Sequence, residues 1–219
     1  MTTTTPTRRP FLLLGVVVAA AAGCSAAYYA AWEKLGKHKR DLLRDHVIAA
    51  RDEQAHASEQ FEDALTRLKS LTGFDGGELE KTYDRLKKDY DRSVDRADAV
   101  RGRIDKVETV AGDLFAEWER EIDELSSERL RRSSRDKLAE TRARYDELVR
   151  AMTRAEQSMA PVLTQFKDQV LYLKHNLNAQ AVGSLAGEVV DIEHDVDRLL
   201  ADMRAAIAEA DAFLSAMPK

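Results

Sequence analysis

The sequence predicts an all-α protein, an elongated antiparallel four-helix bundle of long, coiled-coil-like helices. Three observations predict it. Apolar residues recur at alternating steps of three and four through most of the chain, a spacing that lays one stripe along one face of a helix. The stripes stop only where Gly, Ser and Asn cluster, which is where chains turn. Of the 219 residues, 33% are charged, 6% are aromatic and only four are proline, so little breaks a helix and the outer faces are well solvated. This length suits one helical domain with a buried core. Residues 32–219 are assigned to that domain, residues 24–31 to a membrane-proximal tether and residues 1–23 to a signal peptide of lipoprotein type.

The first segment gives an address. Arg8 and Arg9 form a positive start, Phe11 to Ala22 is an uninterrupted apolar run, and Ala21-Ala22-Gly23-Cys24 brings small side chains up to the only cysteine. That order is a bacterial export signal. Its end resembles a lipobox, in which the cysteine is acylated and becomes the mature N-terminus, with Ala21 where leucine is usual. Lipidation gives an occupation to a lone thiol that can form no internal disulfide in an oxidising compartment. Two other outcomes stay open: an uncleaved spanning helix from Pro10 to Trp32 with Tyr28, Tyr29 and Trp32 at its edge, and cleavage by the ordinary signal peptidase. Thr7-Arg8-Arg9-Pro10-Phe11-Leu12-Leu13 also looks like a twin-arginine signal, beside the plainer positive-inside bias. All of these put the bulk of the chain outside the cytoplasm. By resemblance to lipoproteins, Ser25 after the cysteine favours an outer-membrane destination.

The first helix is expected from about Trp32 to Thr72, on the seam Val47, Ala50, Gln54, Ala57, Phe61, Ala64, Leu68 and Leu71. Gly73-Phe74-Asp75-Gly76-Gly77 ends it, because glycine permits the left-handed conformations of a helix terminus. The second keeps the same alternation through Leu79, Tyr83, Leu86, Tyr90, Ser93, Ala97, Val100, Ile104, Val107, Ala111, Leu114, Trp118, Glu121 and Leu125. Ser126-Ser127 and Ser133-Ser134 offer caps around the next turn. The third resumes at Leu138 and continues through Thr141, Tyr145, Leu148, Met152, Ala155, Met159, Val162, Phe166, Gln169 and Leu173. Pro161 lies inside it, but the seam keeps its phase on both sides, which predicts a kink and no break. Asn176, Asn178 and Gly183 mark the last turn. The fourth, from about Ser184 to Met217, is apolar along its whole seam: Leu185, Val189, Ile192, Val196, Leu199, Met203, Ala206, Ala210, Phe213 and Met217. Leu200, Ile207 and Leu214 widen that stripe, which suits a helix touching two neighbours. Short connections make the arrangement up-down-up-down.

Phe74-Asp75-Gly76-Gly77-Glu78-Leu79, Leu130-Arg131-Arg132-Ser133-Ser134, Arg142-Ala143-Arg144-Tyr145 and Val170-Leu171-Tyr172-Leu173-Lys174-His175-Asn176-Leu177-Asn178 resemble a bacterial family known as domain of unknown function 2959. The resemblance spans nearly all the chain after Cys24. It implies small envelope-associated helical proteins of unassigned activity, and it carries over no catalytic residue.

Four features offer chemistry. Ferritin-like bundles bind metal through Glu-x-x-His pairs on inward faces; Glu53 with His56 and Asp191 with His194 have that spacing, but the seam phase turns both histidines outward. Gln54, Ser93, Glu121, Thr141 and Gln169 interrupt the seams and either line a channel or, as single polar residues usually do, set register. Arg129, Arg131, Arg132, Arg135 and Lys137, continued by Arg142 and Arg144, form a basic turn at the end of the bundle where the first helix begins. It faces either anionic head groups or its own acidic neighbours. At the other end Phe74, Tyr172, His175, Asn176 and Asn178 share a neighbourhood suited to a partner, or plug the core and cap helices.

A net charge of -5 argues against general nucleic-acid binding. No phosphate loop or nucleophile elbow occurs. The expectation is an envelope-tethered lipoprotein, a structural or protein-interaction bundle and not an enzyme, with no cofactor. Its partners are the membrane, through lipid at Cys24 or an uncleaved helix, and an unknown envelope protein. The alternative is a carboxylate-histidine metal-binding bundle or another envelope enzyme.

Overall fold

The computed structural model describes residues 28–34, 36–71, 79–176 and 179–217, with side chains for these except at 71, 79 and 179–187. Cys24, Phe74 and Asn178 lie outside the described residues. The chain divides into two compact units, Met1–Leu42 and Leu43–Lys219.

Within the first unit, residues 28–34 are helical. Tyr28 meets Tyr29 and Trp32 edge-on at 5.3 and 6.3 Å, while the Lys39 and Lys37 ammonium groups lie over the Tyr29 and Trp32 rings at 4.7 and 5.4 Å. Gly36, at φ 75°, ends the segment: its N–H donates to Glu33 O and the Lys37 N–H to Trp32 O, at 2.9 and 3.0 Å. These paired bonds close a helix through a left-handed residue, a conformation that costs glycine nothing. The unbroken helix expected from Trp32 is therefore corrected. An isolated glycine lowers helix stability by only about 1 kcal/mol, and nothing local distinguishes a tolerated glycine from a terminating one. The next helix starts at once, with the Asp41 carboxylate accepting from the His38 N–H at 3.0 Å, the backward half of a capping box.

The long helices are α1 (Lys39–Leu71), α2 (Leu79–Glu124), α3 (Glu128–His175) and α4 (Ala179–Ala216). In the second unit their cross-contacts set the topology. Glu53 and Asp89 pair with Arg96 and Arg67 between α1 and α2; Glu119 and Arg101 pair with Arg142 and Glu156 between α2 and α3. Ser158 and Gln165 meet Asp202 and Asp195 between α3 and α4, and Arg51 and Lys69 meet Asp211 and Glu193 between α1 and α4. In every pair the numbers rise along one helix as they fall along the other, so neighbours are antiparallel and α4 closes against α1. This is the expected up-down-up-down bundle.

The core is built on the predicted seams of α1, α3 and α4, with Thr141, Tyr145 and Met217 only half-buried toward their ends. Val47, Ala57, Phe61, Leu68, Leu148, Met152, Ala155, Val162, Val196, Leu199, Met203, Ala206 and Ala210 are each at most 1% exposed. α3 runs through Pro161 without interruption, and that ring points to solvent.

Three boundaries or phases differ from expectation. α3 begins at Glu128, because Ser127 caps it by accepting the Leu130 N–H at 3.4 Å; Ser133 and Ser134 lie inside the helix among strong helix formers. α3 ends at the expected Asn176 cap, but α4 begins at Ala179 instead of near Ser184. On α2 the buried face is Thr82, Leu86, Asp89, Ser93, Ala97, Val100, Ile104, Val107, Ala111, Phe115 and Ile122. Tyr83, Tyr90, Leu114 and Trp118 are only half-buried, Glu121 is exposed, and Leu125 is half-buried in the connection after the helix. A strict alternation has a period of 3.5 and drifts ~20° per heptad on a straight helix. Consecutive steps of four at Asp89-Ser93-Ala97 and Val107-Ala111-Phe115 take up that drift, so Phe115 and Ile122 replace the expected Leu114 and Glu121.

Candidate functional site

The basic turn sits on a two-helix arm. Phe115, Tyr145 and Phe213 form an aromatic cluster across α2, α3 and α4, with centroids 5.3 and 6.5 Å apart. Burial pushes the Tyr145 hydroxyl up to about 12, helped by Glu108 and Asp146. α4 ends one turn beyond Phe213, whereas α2 and α3 continue past the cluster to the connection at 125–127. The part of α3 beyond α4 is about 20 Å long at 1.5 Å per residue.

On this arm the basic run divides in two. Arg131 reaches Glu128 at 3.0 Å and donates to Leu125 O at 2.7 Å. Arg135 pairs with Asp123 at 3.4 Å and Arg144 with Glu140 at 2.6 Å. Arg142 pairs with Glu119 at 2.6 Å and lies over the Phe115 ring, and its hydrogen bond holds the Glu119 carboxyl below the usual range. These four join α3 to itself or to the acidic end of α2. Arg129, Arg132 and Lys137 are exposed, with no ion-pair partner among the described residues. Leu130 stands 50% exposed beside them. Of the five predicted residues, three thus remain available and two are engaged.

At the opposite end, the antiparallel topology brings the end of α3 to the side where α1 ends and α2 begins. Asn176 is a helix cap: its N–H donates to Leu173 O at 3.2 Å and its side-chain amide to Tyr172 O at 2.9 Å. Tyr172 does not plug the core. It is 41% exposed, next to Leu171 at 45%, and His175 is exposed too. An aromatic, an imidazole and an amide therefore share the last turn of α3.

Glu53, His56 and His194, at the metal-ligand spacings, are engaged in ion pairs and a hydrogen bond. Glu53 holds Arg96 at 2.9 Å, His56 lies 3.9 Å from Glu59, and His194 Nδ1 is 3.3 Å from the Arg198 guanidinium. Among the described residues, no three His, Cys, Asp or Glu side chains are grouped to hold an ion. Nor is any described helix long and apolar enough to cross a membrane.

The interior holds polar residues that sequence reasoning placed only in part. Gln54 is 0% exposed and neither amide atom has a partner. Ser93 is equally buried, donating to Asp89 O at 2.8 Å, and Gln169 is 8% exposed. Thr141 is half-buried, donating to Lys137 O at 2.8 Å. Asp89 was missed. It is 4% exposed and accepts from Arg67 at 2.6 Å, while Gln60 reaches its carbonyl at 3.3 Å. Only Arg67, 22 residues away on α1, signals it. His46 is half-buried, and desolvation, then Lys106 and Arg103, lower its pKa against the pull of Asp45.

No curated protein and no solved structure matches the chain. A family model does match, over residues 28–217, and its description is Protein of unknown function (DUF2959). That match takes in all four long helices and most of the chain: the protein belongs to the DUF2959 family.

Proposed function

We propose that the protein is a lipoprotein of the cell envelope, tethered through Cys24, whose helical bundle serves as a structural and protein-interaction element and not as an enzyme. The observation that carries this is the order of the first residues: Arg8-Arg9, then the apolar run Phe11 to Ala22, then Ala-Ala-Gly before the only cysteine. Positive start, apolar core and small-residue box are what export and acylation machinery reads. The domain after it suits a spacer. α1 alone separates its two ends by about 50 Å at 1.5 Å per residue, and ion pairs stitch its flanks to α2 and α4.

In this reading the unpaired Arg129, Arg132 and Lys137 lie on the membrane side and meet anionic head groups, each cation contributing about 1 kcal/mol close to the surface. The far end, with Phe74, Tyr172, His175, Asn176 and Asn178, contacts another envelope protein. Aromatic side chains flanked by hydrogen-bonding groups are what such a contact uses. Crosslinking in the native envelope tests it. Wild type is expected to trap a discrete partner, and replacing Phe74 and Asn178 together with alanine is expected to abolish that adduct while helicity is unchanged. An undiminished adduct from a folded variant moves the binding surface elsewhere.

A further inference from the structure

The N-terminal half of α2 carries two overlapping stripes. One is the buried face, Thr82, Leu86, Asp89 and Ser93. The other is Tyr83, Leu86, Tyr90 and Ser93, which shares two members with the first and is the more apolar. The chain buries the stripe with a carboxylate in it and leaves both tyrosine rings half in solvent. Hydrophobic burial alone favours the other choice, because a tyrosine ring gains by entering a core while its hydroxyl stays wet.

The observed choice is held by polar contacts. Arg67 donates to Asp89 at 2.6 Å and also reaches Asp63 at 3.3 Å; Gln60 donates to Asp89 O at 3.3 Å and reaches Ser93 Oγ at 3.5 Å. Arg67 keeps 42% of its side chain exposed, against 6% for Asp89. The clasp is thus accessible from solvent on the arginine side only. The two stripes are offset by roughly half of the ~100° between successive residues, so a turn of about 50° about the helix axis exchanges them. Steps of four at Asp89-Ser93-Ala97 mark where such a turn is absorbed, since the seam changes phase there already.

We propose that the first turns of α2 form a two-position rotary element, held with Asp89 inward by Arg67 and Gln60, and that loss of the Arg67–Asp89 clasp turns it to bury Tyr83 and Tyr90. A partner carrying an acidic group that captures Arg67 throws the same switch. A buried carboxylate stripped of its cation is strongly disfavoured, and rotation returns it to water without unfolding the helix.

Hydroxyl-radical footprinting of the full chain tests this, reading the oxidation rates of Tyr83 and Tyr90 with exposed Tyr172 as internal reference. In Arg67→Ala, both rates are expected to fall several-fold while Tyr172 and the helical circular dichroism stay as in wild type. Asp89→Ala removes the charge without stranding it and is expected to give the same protection, so it decides the question should Arg67→Ala fail to fold. Unchanged or faster oxidation of Tyr83 and Tyr90 in a folded variant overturns the proposal, because α2 then has one register only or simply frays.

Discussion

Phe61 of α1 and Phe166 of α3 stack across the bundle, with ring centroids 6.3 Å apart and planes inclined by 24°. The two helices are not neighbours in sequence, and both rings are at most 1% exposed. This diagonal contact spans the core. Phe166→Ala is expected to lose about 3–5 kcal/mol, and the double variant with Phe61→Ala less than the sum of the two singles, since the rings share one contact. Urea denaturation of the three variants measures both.

The apolar seam of α4 makes a sharper contrast. Leu199 is 0% exposed, so Leu199→Asp buries an unpaired charge and is expected to cost several kcal/mol or to prevent folding. Glu193 pairs with Lys69, both side chains being 41% exposed. A pair so open to water contributes at most ~1 kcal/mol, and Glu193→Ala is expected to shift the melting temperature little. Equal melting temperatures in the two variants contradict the seam.

Gln54 makes the opposite prediction. Its amide is enclosed on all sides without a hydrogen bond, an arrangement that costs about 1–3 kcal/mol per group. Gln54→Leu keeps the shape and removes the polar atoms, and is expected to raise the denaturation midpoint. A lower midpoint would show that the amide is satisfied in solution.

Acid acts through His46. Its folded pKa lies below the usual 6.5, chiefly because burial disfavours the cation and then because Lys106 and Arg103 repel it. As pH falls through 6.5, the unfolded chain binds a proton that the folded chain does not, so stability rises with pH in this window and drops on acidification. The loss ends once pH passes below the folded pKa. Denaturation midpoints between pH 7.5 and 5.5 are expected to fall in wild type, with a flatter profile in His46→Gln; parallel profiles contradict the assignment.

Most of this architecture was legible because three helices hold a strict seven-residue repeat. Val47 to Leu68, Leu148 to Leu173 and Val189 to Phe213 are buried where periodicity put them. α2 was misjudged at Tyr83, Tyr90, Leu114 and Glu121 because a straight helix drifts away from a 3.5 repeat, and over its 46 residues the drift exchanges adjacent positions. The basic turn was visible as composition, but which arginines are spent was not: Arg135 and Arg142 find Asp123 and Glu119 across a helix interface. Asp89 was illegible for the same reason, its cation lying on another helix. The break at Gly36 depends on two backbone bonds that no local pattern announces.

The tether at Cys24 is the centre of the proposed function, and the mass of the protein extracted from membranes tests it most directly. A mature N-terminus at Cys24 carrying a diacylglycerol modification, with Cys24→Ala accumulating as unprocessed and unmodified precursor, is the predicted result. A wild-type protein that keeps residues 1–23, or whose mass and processing are unchanged by Cys24→Ala, contradicts it.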